Sequence, residues 1–397
     1  MPDFKSAEFL QQHIDSILAF YRPNVVDSER GGFHQNFFDD GQVFDPGFKH
    51  LVSSTRMIFN YARAYQHSGD PAHLAKAQHG LDYLRSAHWD PARQGYHWLL
   101  RDNVPEDQTN HCYGLAFVIL ALSTCVEIEL HGARDDLYRA WEILNRHFWL
   151  SHAGLYADEA TPDWQSVSDY RGQNANMHCC EALLAAHAAT GDAQFLDRAY
   201  TLANTVAVEL AGKAGGLVWE HYTDKLEVDW DYNRDDPKNL YRPWGFQPGH
   251  QTEWSKLLLL LYRQRPEAWM LKRARELFDR ALETCWDNEC GGILYGHAPD
   301  GSICDDDKYF WVQAETFAAA ALLAEATGAE VYWQWYQRIW QYCWQHFVDH
   351  SHGAWYRLLN SRNEKYSNEK SIAGGKCDYH TLGACWEVLE ILRRAGD

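Results

Sequence analysis

Gly291-Gly292-Ile293-Leu294-Tyr295 is one of six short glycine-plus-aromatic elements in the chain, and their spacing decides the fold. The others are Gly31-Gly32-Phe33-His34, Gly95-Tyr96-His97-Trp98, Gly154-Leu155-Tyr156, Gly215-Gly216-Leu217-Val218-Trp219 and Gly353-Ala354-Trp355-Tyr356. Taking Gly32, Gly95, Gly154, Gly216, Gly292 and Gly353 as markers, successive intervals are 63, 59, 62, 76 and 61 residues, the regularity of a repeat architecture. Each glycine can supply a turn with positive φ, and the residues after it alternate aromatic and polar as short strands do.

Ahead of most of these elements runs an amphipathic helical stretch, as in Asp135 to Trp149 or Trp269 to Trp286, with apolar residues at i, i+3, i+4 and i+7. Behind each comes a more apolar helix, starting near His50, His111, His178, His250, Trp311 and His380 and containing runs such as Glu181 to Ala189, Leu257 to Leu261 and Phe317 to Ala324. Two helices in each of six units, one set facing water and one buried on both sides, predict concentric rings. The expected fold is therefore all-α, an (α/α)6 barrel with short β-hairpins clustered at one end. An open helical solenoid is the alternative, and closure at six explains why the count stops there. The repeat covers nearly the whole chain, so residues 1–397 are expected to form one domain.

Lys and Arg total 36 against 55 Asp and Glu, a formal charge of −19 that repels nucleic-acid phosphates and anionic lipid headgroups. Neither nucleic acid nor a membrane is an expected partner. Met1-Pro2-Asp3-Phe4-Lys5 opens neither a secretory leader nor an Arg-rich transit pattern, and no run approaches the roughly 18 apolar residues that a span requires. A cytoplasmic location is expected. The ten cysteines are scattered without CxxC or a paired metal-ligand spacing, and they read as buried reduced thiols. Trp, Tyr and Phe make 14% of the chain, many of them beside Gly, His or Asp rather than inside apolar helical stripes. Rings so placed suit a carbohydrate site, where apolar sugar faces stack on aromatic planes and hydroxyls need directed polar partners.

Aligned by their starts, the six inner helices carry polar residues at equivalent places. The segments are Ser53-Ser54-Thr55-Arg56, Asn110-His111-Cys112-Tyr113, Asn174-Ala175-Asn176-Met177-His178, His250-Gln251-Thr252-Glu253-Trp254, Gln313-Ala314-Glu315 and Asp378-Tyr379-His380-Thr381. In a closed barrel such positions converge on the axis, so Arg56, His111, Asn176, His178, His250, Glu253, Glu315 and His380 are expected to line one cavity. His250 and Glu253, at i and i+3, share a helix face. An imidazole at a helix N-terminus feels the positive end of the macrodipole, which keeps it neutral and able to take a proton. A lone histidine is more often a satisfied core residue, but a matched set of buried polar groups is costly unless it has a use.

Two carboxylates could suggest glycoside hydrolysis. The histidines point elsewhere, because an imidazole can both remove the C2 proton of an open-chain aldose and return it. Return to C1 gives the ketose, and return to the opposite face of C2 gives the 2-epimer. Both routes pass through an enediolate, which the Arg56 guanidinium would stabilise. A metal-assisted hydride shift is the rival route, but no metal-ligand spacing is visible, so neither a metal nor another cofactor is expected. A sugar-binding barrel without catalysis is the alternative from a different class.

These motifs resemble the N-acylglucosamine 2-epimerase superfamily, and within it the bacterial aldose–ketose isomerases acting on mannose. The resemblance spans the chain and rests on His50-Leu51-Val52-Ser53-Ser54-Thr55-Arg56, Asn174 to Ala182, Pro248-Gly249-His250-Gln251-Thr252-Glu253-Trp254, Trp311-Val312-Gln313-Ala314-Glu315 and Asp378-Tyr379-His380. It implies an (α/α)6 barrel, no metal, and two catalytic histidines matching His250 and His380. His380 would move the C1/C2 proton, and His250 would assist ring opening. Arg56, His178, Glu253 and Glu315 match sugar-contacting positions, with Asn110, His111, Asn176, Trp244, Gln251, Trp311 and Asp378 as further pocket candidates. The implied substrate is a monosaccharide, D-mannose going to D-fructose, with D-lyxose and D-xylulose as a second pair. A sugar 2-epimerase of the mannose/glucose or cellobiose type, using the same two histidines, stays open. Segment 229–248 accounts for the long fourth interval and reads as a loop over the barrel mouth. Oligomeric state has no sequence signal.

Overall fold

The computed structural model describes residues 1–239 and 241–396; Leu240, inside the segment expected over the mouth, and Asp397, the last residue of the expected domain, lie outside them. Twelve helices of at least twelve residues dominate the described chain. They are α1 (Ala7–Tyr21), α2 (Leu51–Ser68), α3 (Pro71–Tyr83), α4 (Cys112–Glu127), α5 (Ala133–His147), α6 (Gln173–Thr190), α7 (Ala193–Asn204), α8 (Pro248–Gln264), α9 (Ala268–Cys285), α10 (Phe310–Thr327), α11 (Glu330–His346) and α12 (Tyr379–Gly396). The even-numbered helices form an inner ring in which each packs on the next and α12 returns to α2. The odd-numbered helices pack outside it, α1 against α12 and each of the others against the helix before it. The ring closes, so the molecule is an (α/α)6 barrel and not an open solenoid.

Burial follows from this layering. Helix α5 buries Ala133, Leu137, Ala140, Trp141 and Leu144, a single stripe at helical spacing. Helix α10 is covered on both sides and buries every residue from Val312 to Ala324, so its amphipathic pattern disappears. No helix among the described residues is long and apolar enough to cross a membrane.

The glycine elements close the ring a second time. The strand leading into each inner helix pairs with the strand after the glycine of the next unit: Phe48–His50 with Leu99–Arg101, Asn110–His111 with Glu159–Ala160, Arg171–Gly172 with His221–Tyr222, and Lys308–Tyr309 with Leu358–Leu359. Phe246 bridges His297 in the same sense, and Glu369–Ser371 pairs with Phe37–Phe38, joining the last unit to the first. Gly32 turns at φ +66°, and a Cβ there would fall 2.6 Å from the Tyr83 ring of α3, so only glycine fits. Gly95 departs from the expectation: its φ is not positive, and Gln94 takes the left-handed turn instead at +52°. A side chain at Gly95 would meet Asn110 Oδ1 at 2.7 Å, which is why that position too is glycine.

Three of these turns share a device that the sequence did not reveal. Asp27 Oδ1 accepts the backbone N–H groups of Glu29 and Arg30, while its Oδ2 takes the fully buried Lys49 ammonium at 2.8 Å. Asp287 with Lys308 (2.8 Å) and Asp349 with Lys370 (2.7 Å) repeat it. Each aspartate fixes the turn and each lysine ties that turn to a lead-in strand, so the buried charges are paired.

Candidate active site

The lead-in strands and first turns of the inner helices surround one hollow of about 640 Å³. Arg56, His111, His178, His250, Glu253, Trp311 and His380 line it, together with Tyr113, which was not singled out from the sequence. Segment 229–248 covers the mouth and adds Tyr232, Asn233, Asn239, Tyr241, Arg242 and Pro243 to the lining. It is held on one side by Lys238 at 3.0–3.4 Å from Asp305, Asp306 and Asp307, and on the other by Arg242 pairing with Glu159.

Three imidazoles in the hollow are each backed by a buried or half-buried carboxylate. His250 Nδ1 lies 2.9 Å from Glu220 Oε1, and Glu220 Oε2 accepts from Gln173 Nε2 at 2.9 Å. His380 Nδ1 lies 2.6 Å from Glu315 Oε1. His178 Nδ1 lies 2.9 Å from Glu181 Oε2, whose other oxygen accepts the Tyr379 hydroxyl at 2.6 Å. An ionised carboxylate only accepts, so each Nδ1 carries the proton and each Nε2 keeps its lone pair. The Trp311 ring sits 5.0 Å from the His250 ring and 5.7 Å from that of His380, touching both.

Burial, more than the helix dipole, keeps the His111, His178 and His380 rings neutral. It holds His380 well below the usual imidazole range, with the Arg56 charge adding to the effect, and it pushes His111 down to about 4. His178 is the sixth residue of α6, beyond the first turn where the dipole acts, and is lowered by burial too.

The carboxylates share their charge unequally. Lys256 Nζ sits 2.5 Å from Glu315 Oε2 and 3.8 Å from Glu181 Oε1. Burial pushes the Glu315 carboxyl up while the Lys256 ammonium pulls it back. Glu253 is 1% exposed and neither of its oxygens has a hydrogen-bond partner; burial and the Glu315 charge hold its carboxyl well above the usual range. Arg56 donates to the Tyr113 hydroxyl at 3.0 Å and stacks 4.2 Å from the Phe117 ring, and no carboxylate lies within ion-pair distance of it among the described residues. Its charge is left for whatever enters the hollow.

Two sets of donors at the hollow could hold a metal ion, His178 with Glu181 and Glu253, and Glu253 with Glu315 and His380, and a third, Asp305 with Asp306 and Asp307, is the one paired with Lys238; within each set the atoms lie within 4.8 Å of one another. The sequence showed no such spacing for the two at the hollow, because four helices supply their donors. Lys256 already brings a positive charge to both of these.

Two expected lining residues do other work. Glu315 stands behind His380 rather than on the cavity wall. Asn176 is a correction: its amide accepts the Tyr156 N–H at 2.7 Å and donates to the Tyr156 and Gly172 carbonyls, clamping the third glycine element and leaving nothing for a ligand. Gln251 does the same for Val218, and Gln313 for Ile293. Asn110 bonds the Thr161 carbonyl, Asp378 is buried against Lys376 and Tyr21, and Trp244 donates to the Trp230 carbonyl, so none of these lines the hollow. Replacing Asn176 with Ala is expected to cost about 2 kcal/mol of stability through the orphaned backbone groups, seen as a lower denaturation midpoint, while KM for sugar stays unchanged. A raised KM at unchanged stability would return Asn176 to the binding site.

Lys256, Glu181 and Glu220 were missed. Lys256 and Glu181 carried a readable signal, three residues after Glu253 and His178 respectively on the same helix faces. Glu220 stands 30 residues from its histidine and had none.

A closed barrel whose inner helix starts gather carboxylate-backed imidazoles and an unpaired guanidinium is the scaffold of a proton-transfer enzyme. The chain belongs to the N-acylglucosamine 2-epimerase (GlcNAc 2-epimerase) family, whose model matches residues 31–384. It is 53% identical to the D-mannose isomerase of Marinomonas mediterranea, over 98% of this chain and 99% of that one. A crystal structure of D-mannose isomerase matches with a TM-score of 0.96 at 53% identity, covering 98% of this chain and 99% of the other. The cellobiose 2-epimerase from Bacillus thermoamylovorans B4167 matches with a TM-score of 0.86 at 19% identity over 97% and 100%, a likeness of fold alone.

Proposed function

We propose that the chain is an aldose–ketose isomerase that interconverts D-mannose and D-fructose, and D-lyxose and D-xylulose, by proton transfer. The observation that carries the reaction is the pair of carboxylate-backed imidazoles, His250 and His380, on the two contacts of one tryptophan in one hollow. The sugar follows from the full-length similarity to D-mannose isomerase. His250 assists opening of the pyranose, acting on the anomeric hydroxyl and ring oxygen. His380 then takes the C2 proton on Nε2, and Glu315 stabilises the resulting imidazolium through Nδ1–H. Arg56 faces the charge that develops on the enediolate oxygens, where a buried cation is most effective. His380 returns the proton to C1. His111, His178 and Trp311 shape the sugar pocket.

Purified protein incubated with D-mannose in EDTA is expected to form D-fructose, followed by NMR. Unchanged mannose would remove the isomerase, and glucose appearing ahead of fructose would assign the chain to the 2-epimerases.

A further inference from the structure

Conversion of an aldose to a ketose relocates two protons. One travels from C2 to C1 on carbon. The other must leave O2, which becomes a carbonyl, and arrive on O1, which becomes a hydroxyl. The imidazole of His380 accounts for the first and no group so far accounts for the second.

Glu253 has the chemistry for it. Its side chain is on the cavity wall, 1% exposed, and both of its oxygens lack a hydrogen-bond partner. Glu253 and His380 line the same hollow, and donor atoms of Glu253, Glu315 and His380 lie within 4.8 Å of one another, so a sugar held against His380 lies beside Glu253. Two buried carboxyls at that range do not both ionise. Glu315 has the Lys256 ammonium at 2.5 Å and the His380 N–H at 2.6 Å to hold its charge, and Glu253 has neither. The shared proton therefore rests on Glu253, in keeping with the upward displacement of its carboxyl. A neutral carboxyl offers one O–H donor and one carbonyl acceptor, a bidentate match for a carbonyl O1 beside a hydroxyl O2.

We propose that Glu253 relays the hydroxyl proton between O2 and O1 during isomerisation. The inference rests on the isomerase reading. When His380 Nε2 takes the C2 proton, the C1–C2 double bond forms and O1 receives the Glu253 proton, giving a neutral enediol and a Glu253 carboxylate. The carboxylate then takes the O2 proton as the C2–O2 double bond forms, and the His380 imidazolium delivers its proton to C1. Both side chains end as they began, and nothing else is consumed. Arg56 carries the charge while O1 awaits its proton.

Glu253→Gln keeps the size and the hydrogen bonds but cannot pass a proton on. In heavy water with D-mannose, His380 in the variant still abstracts and returns the C2 proton, so NMR shows deuterium entering C2 while ketose fails to accumulate. The ratio of ketose formed to C2 exchange is expected to fall about 10²-fold against the unaltered enzyme, the scale of one acid–base group. An equal loss of exchange and ketose, or an unchanged ratio, would overturn the relay. If the Gln variant loses the far-UV circular dichroism of the barrel, the same ratio is read in Glu253→Asp, which keeps the acid one methylene short. A reduced ratio there supports the relay, and an unchanged one overturns it. Failure of the isomerase reading is separate, because then the unaltered enzyme makes no ketose.

Discussion

With His380 replaced by Asn, kcat on D-mannose is expected to fall by about 10³-fold with little change in the thermal midpoint. The asparagine amide reaches the place of the imidazole Nδ1 and can still donate to Glu315, so the buried carboxylate keeps its partner and the barrel its stability. What is lost is Nε2, the only lone pair the ring presents to the hollow. The pH profile gives a second check. The base must be neutral to act, and burial with the nearby Arg56 holds this imidazole well below its usual range. The unaltered enzyme should therefore keep its rate as pH falls through 6.5, the ordinary value of a histidine, and lose it only further toward acid. The Asn variant should show no such limb in its residual rate. A drop of less than about tenfold would assign the C1/C2 transfer to another residue.

The barrel was legible because its determinants are local and repeated. Each glycine element is a turn that few residues can make, and each helix pair announces itself by how much of its surface is apolar. Ring closure, by contrast, is a property of how units stack, and the paired strands that enforce it are two or three residues long, too short for alternation to register. Within the site, the convergence of Arg56, His178, His250, Glu253 and His380 followed from equivalent positions in equivalent units. The same reasoning misplaced Asn176, and the family resemblance misplaced Gln251. An amide and an imidazole at neighbouring positions of a first helical turn look alike in sequence, but in the fold one reaches back to the glycine turn and the other forward into the hollow. The partners that set protonation were the least visible, since Glu220 meets His250 across 30 residues of one unit and Glu315 meets His380 from the neighbouring unit.

Lys256 is where this hidden layer has its largest consequence. Its ammonium lies between the carboxylates that back His380 and His178, at 2.5 Å from Glu315 and 3.8 Å from Glu181. Lys256→Met leaves those carboxylates buried without their cation, at a cost of about 3 kcal/mol. The charge is relieved by proton uptake, because the ammonium is what pulls the Glu315 carboxyl down against the burial that raises it. A protonated Glu315 donates to His380 Nδ1 and drives the imidazole proton onto Nε2, the nitrogen that has to act as base. The variant's kcat should therefore drop by about 10²-fold at neutral pH with KM nearly unchanged, and recover as pH rises and Glu315 ionises. Stability should move the other way. A carboxyl raised in the fold above its unfolded value supports folding below that value, and the support is lost as pH rises through the folded one. Lys256→Arg, which keeps the charge, should restore both the rate and its flat pH dependence. A Met variant that is merely less stable, with kcat and its pH profile intact, would show that Lys256 only fills the barrel floor.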